Sequence, residues 1–296
     1  MAAGILKRIL LWLIRKVHYF TEVSVRSFFI LQRESAFSRM ALLGAYLKLQ
    51  FKKVFLIWLL HRGIRHEAVL GFRMRFDQYW IFDLLFREIF IDQDYFFKTD
   101  KTSPFIVDCG SNFGMSIIFF KKLFPDARIA GFEPSKAIFN VLEQNVKDND
   151  LEGVVLYNKA VSDKPGKLDF FYDDNQLGSF YGMQSGKPVQ SAETVEAVTL
   201  SSYINEEVDF LKIDIEGAEE AVLLEMAESG KLGLVKQMVI EYHHHLDVDK
   251  DRFSCILSLL ENQGFGYQIK TGDNTLTTGR QFQDILIGCY RKRAVL

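Results

Sequence analysis

A chain of 296 residues, 48% hydrophobic and 25% charged, is long enough to bury one sizeable core and still carry an appendage. Its three cysteines, Cys109, Cys255 and Cys289, lie far apart without metal-ligand spacing, which excludes a disulfide framework and a zinc ribbon and fits a reducing compartment such as the cytoplasm. The net charge of -2 hides a split: residues 1–65 hold twelve Lys/Arg against Glu22 and Glu34, so a leader of +10 precedes a body of -12. Such asymmetry points to an anionic surface as partner, at the cytoplasmic face of a membrane for instance; nucleic acid is not expected.

In the leader, Leu6, Ile9, Leu10, Leu13, Val17 and Phe20 share one side of a first helix, with Lys7, Arg8, Arg15 and His18 opposite. A second helical stretch of the same kind runs over about 40–60. Two readings fit: a basic amphipathic surface lying on anionic lipid, or a helical cap that packs its stripe inward. The apolar runs 9–14 and 54–60 fall far short of the roughly 20 residues that span a bilayer, and no signal-peptide cleavage site follows the first.

The leader is drawn as 1–65 and the main domain as 66–296. Residues 69–76 alternate in polarity, a helix is expected near 79–90, and 95–97 are extended. After Pro104 the chain repeats apolar strand, turn and amphipathic helix, the pattern of an α/β fold with a doubly wound, mostly parallel sheet. Strands are expected at 105–108, 128–132, 154–161, 208–215 and 235–242, with an added hairpin strand at 167–172 and two closing strands at 267–270 and 284–290, the last antiparallel. Helices are expected at 115–123, after the N-cap Ser135, at 218–229 and at 249–263. The Gly-, Ser- and Gln-rich stretch 175–193, with Ser179 and Tyr181 at its tip, reads as a lid or acceptor loop.

The most informative run is Asp108-Cys109-Gly110-Ser111-Asn112-Phe113-Gly114, between a strand and a helix. Gly110 and Gly114 allow a tight turn and close approach of backbone to a ligand, and the helix start offers free N–H groups. The pattern Asp-x-Gly-x-x-x-Gly is not the Gly-x-Gly-x-x-Gly of a dinucleotide site, and an acid at Asp108 repels a pyrophosphate while suiting the amino group of S-adenosylmethionine. One strand on, Gly131-Phe132-Glu133-Pro134 sets Glu133 where a carboxylate accepts from ribose hydroxyls, and Ala160-Val161 end the next strand near the expected adenine.

The chain resembles the FkbM family of methyltransferases in FIVDCGSNFG (105–114), GFEPS (131–135), LKIDIEGAE (211–219), Glu241-Tyr242-His243 and the run Arg87-Glu88-Ile89-Phe90. The resemblance covers about residues 66–290, with a motif core of about 105–270, and says nothing of the leader. It implies a class I, Rossmann-like methyltransferase fold, S-adenosylmethionine as donor, and hydroxyl acceptors on sugars, glycans or other secondary metabolites. Cofactor residues are then expected at Asp108, Gly110, Ser111, Asn112, Gly114, Glu133, Pro134, Ala160, Val161 and Asp214.

Methyl transfer to a hydroxyl needs in-line positioning and help in removing a proton. Lys212, Asp214 and Glu216 alternate at the end of one strand, with Glu219 a turn later, while Glu241, His243 and His245 alternate at the end of the next. Histidine titrates nearest working pH, so His243 is the expected base, oriented by Glu241 or Asp214, against the plainer reading of a histidine bonded at a strand end. Asp214, Glu216 and His243 also make an N/O donor set for Mg²⁺ or Mn²⁺, but acids so dense are more often fixed by a lysine such as Lys212, and no metal is expected. The rivals are an NAD(P)-dependent oxidoreductase on a related fold and a non-catalytic S-adenosylmethionine-binding module. Specificity for the acceptor carries no readable code.

Overall fold

A computed structural model describes residues 18–32, 34–172, 191–244, 252–271 and 283–292. The chain divides into two compact units, Met1–Gln93 and Asp94–Leu296. The change of hydropathy pattern at residue 65 therefore falls inside the first unit, which also takes in the residues up to Gln93.

The first unit is helical over 18–32 and again over Arg39–Lys52 (α1), where Ser38 Oγ caps the start by accepting from the Ala41 N–H. α1 continues as a π-helical segment, Lys53–Leu59. A hairpin of His66–Val69 (β1) and Phe72–Arg75 (β2) accounts for the alternation seen in the sequence, and Tyr79–Phe86 (α2) runs on into a π-helical turn, Arg87–Ile91. Leu42, Tyr46 and Leu49 of α1 are buried, as are Met74, Phe82, Phe86 and Phe90. Buried Asp83 is paid for by Gln50 Nε2 at 2.6 Å and Lys53 Nζ at 2.7 Å, as a carboxylate taken out of water requires.

The second unit holds a seven-stranded sheet. Its strands are Phe105–Cys109 (β3), Arg128–Phe132 (β4), Val154–Tyr157 (β5), Val208–Ile213 (β9), Val235–His244 (β10), Phe265–Thr271 (β11) and Gln283–Arg291 (β12), in the order β11-β12-β10-β9-β3-β4-β5. All neighbours are parallel except β12, which is antiparallel to both β10 and β11. Every residue of β9 is buried, which is why it reads as an unbroken apolar run save for Asp209 and Lys212. Helices Met115–Leu123 (α3), Lys136–Asp148 (α4), Glu219–Glu228 (α5) and Phe253–Asn262 (α6) join the strands, with Ser135 capping α4 through the Ile138 N–H. Sequence order reverses between β3 and β9, so the carboxyl ends of these strands open a crevice at the switch point.

The expected strand 154–161 is in fact two. Asn158 Nδ2 donates to the carbonyls of Glu133 and Pro134 at 2.9 and 2.8 Å, which takes the chain out of the ladder after Tyr157. Ala160–Ser162 (β6) then joins a separate three-stranded sheet, parallel to Ser191–Thr199 (β8), itself antiparallel to Gly166–Tyr172 (β7). β8 starts within the stretch read as a loop because its buried side is small, Val195 and Ala197 alternating with exposed Thr194 and Glu196. Ser179, Tyr181 and the rest of 173–190 lie outside the described residues, as do His245 and residues 1–17.

Candidate active site

The crevice is built from the loop after β3. The backbone N–H groups of Gly110 and Ser111 both donate to the Phe132 carbonyl, at 3.0 and 2.8 Å, which folds the loop against the end of β4. Gly110 sits at φ +87, and a Cβ there would meet the Asp214 carbonyl oxygen at 1.8 Å, so only glycine lets the loop and the end of β9 lie this close. Gly114, at φ +94, turns the chain into α3. Asn112 donates its N–H to Glu133 Oε2 at 3.0 Å, and Ser135 donates to Oε1 at 2.9 Å. Glu133 is buried, and that burial pushes its carboxyl up to about 7 against the pull of the two N–H groups.

Gly110, Glu133, Pro134, Ala160, Val161 and Asp214, drawn from four separate segments, line one cleft. Phe132, Lys159, Ile215 and Glu216 complete its wall. Phe132 and Ile215 gave no signal beyond that of strand residues, and Lys159 reads as a surface charge, here paired with Glu196 at 2.6 Å. Ser111, Asn112 and Gly114 shape the loop without lining the cleft.

Asp108 does not line it either. Its side chain is fully buried beneath the loop, Oδ2 accepting from Ser116 Oγ at 2.6 Å and Oδ1 lying 3.4 Å from Lys212 Nζ. Lys212 is itself buried; its ammonium donates to the Gly110 carbonyl at 2.9 Å, pairs with Asp214 Oδ2 at 3.1 Å and lies over the Tyr95 ring at 5.2 Å. Burial alone lowers a lysine, but Asp214 and Asp108 outweigh it and hold Lys212 above its usual range. Lys212 is thus a permanent cation that ties the glycine loop to β9. Tyr95, which also donates to Glu241 Oε2 at 3.4 Å, was hidden in the sequence inside an aromatic run.

Beside this tie is a carboxylate–histidine cluster. His243 is buried, with Nδ1 at 2.9 Å from Glu219 Oε1 and Nε2 at 3.4 Å from Glu216 Oε2 and 3.9 Å from Asp214 Oδ1. The carboxylate that orients it is Glu219, not the expected Glu241 or Asp214; Glu219 is fixed in turn by the Gly217 and Ile215 N–H groups at 2.9 and 3.3 Å. Glu216 reaches the cluster from a left-handed backbone conformation, φ +58. Burial pulls the imidazole down, but the bond from Glu219 and the charges of Glu219, Glu216 and Asp214 raise it well above the ordinary histidine range. One ligand atom from each of Asp214, Glu216 and His243 lies within 4.8 Å of the others, a spacing that a divalent ion fits, although Lys212 already pairs with Asp214 there.

Residues 108–267 match the family described as the methyltransferase FkbM domain. The chain is 27% identical over 213 residues to methyltransferase 1 of Beauveria bassiana, covering 64% of this chain and 84% of that protein. It is 30% identical over 214 residues to methyltransferase sdnD of Sordaria araneosa, covering 61% and 81%. Among solved structures, methyltransferase FkbM from Methylobacillus flagellatus is similar at 16% identity and a TM-score of 0.44, over 65% of this chain and 45% of that one. The oxidoreductase alternative finds no support in these matches, and the chain belongs to the FkbM family of methyltransferases, with S-adenosylmethionine as its methyl donor.

Proposed function

We propose that the protein methylates a hydroxyl group, on a sugar, a glycan or another secondary metabolite. The observation that carries this reading is the cluster of Asp214, Glu216 and His243, which shares Asp214 and Glu216 with the cofactor cleft. S-adenosylmethionine, when bound, supplies an electrophilic methyl group on a sulfonium. Glu133 accepts from the ribose hydroxyls, Pro134, Ala160 and Val161 pack against the adenine, and the Gly110 turn admits the aminoacyl end. Asp214 and Glu216 accept hydrogen bonds from the acceptor hydroxyl and hold its oxygen in line with the methyl. As the C–O bond forms and the C–S bond breaks, the hydroxyl proton passes to one of these carboxylates. His243, its ring fixed by Glu219 and its Nε2 beside Glu216, orients and steadies the two carboxylates.

The test is methyl transfer to matched panels of polyhydroxylated and amine acceptors, with products located by mass spectrometry. Products methylated on oxygen are expected, and Glu216→Gln with His243→Asn should lower kcat by about a hundredfold with an unchanged circular dichroism spectrum. Methylation on nitrogen, or unimpaired turnover in the double variant, would reject the assignment.

A further inference from the structure

The exposed apolar surface of this protein is concentrated in its first unit. Among the described residues, twelve of the eighteen well-exposed large apolar side chains belong to residues 1–93. They form a pattern on α1 and its π-helical continuation. Leu47, Phe51, Phe55 and Leu59 recur every fourth residue and are 44%, 67%, 42% and 64% exposed. The Phe51 and Phe55 rings stack with centroids 5.6 Å apart, so the two lie on one side of the helix. The opposite side is also apolar, since Leu42, Tyr46 and Leu49 are buried. A helix on the surface of a water-soluble domain carries charge outward; this one is greasy on both sides and needs a second cover.

We propose that this stripe lies in the interfacial layer of an anionic membrane, an inference independent of the methyl-transfer reading. Charge selects the occupant. Lys48, Lys52 and Lys53 of the helix are paired with Glu67 and Asp83, but residues 1–93 still hold fifteen bases against seven acids, and exposed Arg62 and Arg65 follow Leu59 and Leu60 at the end of the stripe. Two copies of so basic a segment repel each other, whereas anionic headgroups attract it. No helix among the described residues is long and apolar enough to cross a membrane.

Flotation of the full chain with vesicles tests this. It should rise with phosphatidylcholine–phosphatidylglycerol vesicles, remain below with phosphatidylcholine alone, and be released by added salt. Phe51→Ser with Phe55→Ser should lower the bound fraction about tenfold, with an unchanged circular dichroism spectrum and unchanged binding of S-adenosylhomocysteine. Failure to float, equal flotation with neutral vesicles, or a double variant that floats like wild type overturns the proposal. So does light scattering that finds, without vesicle binding, a dimer dissociated by the same two substitutions.

Discussion

Gly110→Ala is the sharpest probe of the cofactor loop. A left-handed backbone costs an L-residue about 1–2 kcal/mol, and Gly110 lies at φ +87. The new methyl would also stand 1.8 Å from the Asp214 carbonyl oxygen and 3.0 Å from its carbon, both backbone atoms of a central segment. To relieve that overlap, the loop and the end of β9 must part by about an ångström, at an overpacking cost of about 1–3 kcal/mol. The parting strains the 3.1 Å bond from the Asp214 N–H to the Cys109 carbonyl and the bond from Lys212 to the Gly110 carbonyl, together worth about 1 kcal/mol. The total is about 3–6 kcal/mol. Gly230→Ala in the same unit is the control: φ is +70 and no atom lies within 4 Å of the added carbon, so only the backbone cost of about 1–2 kcal/mol applies. Urea unfolding of both variants measures the difference, and calorimetry with S-adenosylhomocysteine should find binding weakened about tenfold or more in Gly110→Ala alone. Equal stabilities for the two variants, together with wild-type affinity in Gly110→Ala, would refute the close-approach reasoning.

Two further outcomes follow from the buried charges. On the proposed reading that the Glu133 carboxylate accepts from the ribose hydroxyls, and with burial pushing that carboxyl up to about 7, a proton competes with the ligand: affinity for S-adenosylhomocysteine should be level above pH 7 and fall by up to about tenfold per unit below it. Glu133→Gln should weaken binding and flatten the profile, and a flat wild-type titration would exclude this role. Lys212→Met strands Asp108 and Asp214 without their common partner and should cost about 3–5 kcal/mol in urea unfolding, where a loss below about 1 kcal/mol would mean that the ammonium is dispensable.

Features with a local cause were legible in the sequence. The glycine loop, Glu133 and the strand-helix beat announce themselves because turn chemistry and hydropathy period act over a few residues, and Met115–Leu123 matches its expected bounds. What the pattern withheld depends on meetings across long separations. Nothing local says that His243 will find Glu219 rather than Glu241, which depends on how β9 and β10 align, or that Tyr95, from the chain ahead of β3, will cover Lys212. The upward shift of His243 follows from three carboxylates converging on one buried ring, and is invisible until they converge. β8 escaped notice because valine and alanine alone make a weak alternation. In the leader, the helical stripe was plain, but not that α1 would bury one side and leave Leu47, Phe51, Phe55 and Leu59 in the open.

The position of β12 constrains how the domain is made. β11 precedes it in the chain, yet its sheet partner is β12, which inserts between β11 and β10. A ribosome thus releases Phe265–Thr271 before its sheet partner exists, and the edge that β12 covers stays bare until Gln283–Arg291 has emerged. During that interval the nascent polypeptide carries an unsheltered adhesive segment, and crowded polysomes are where misassembly between neighbouring chains is to be looked for.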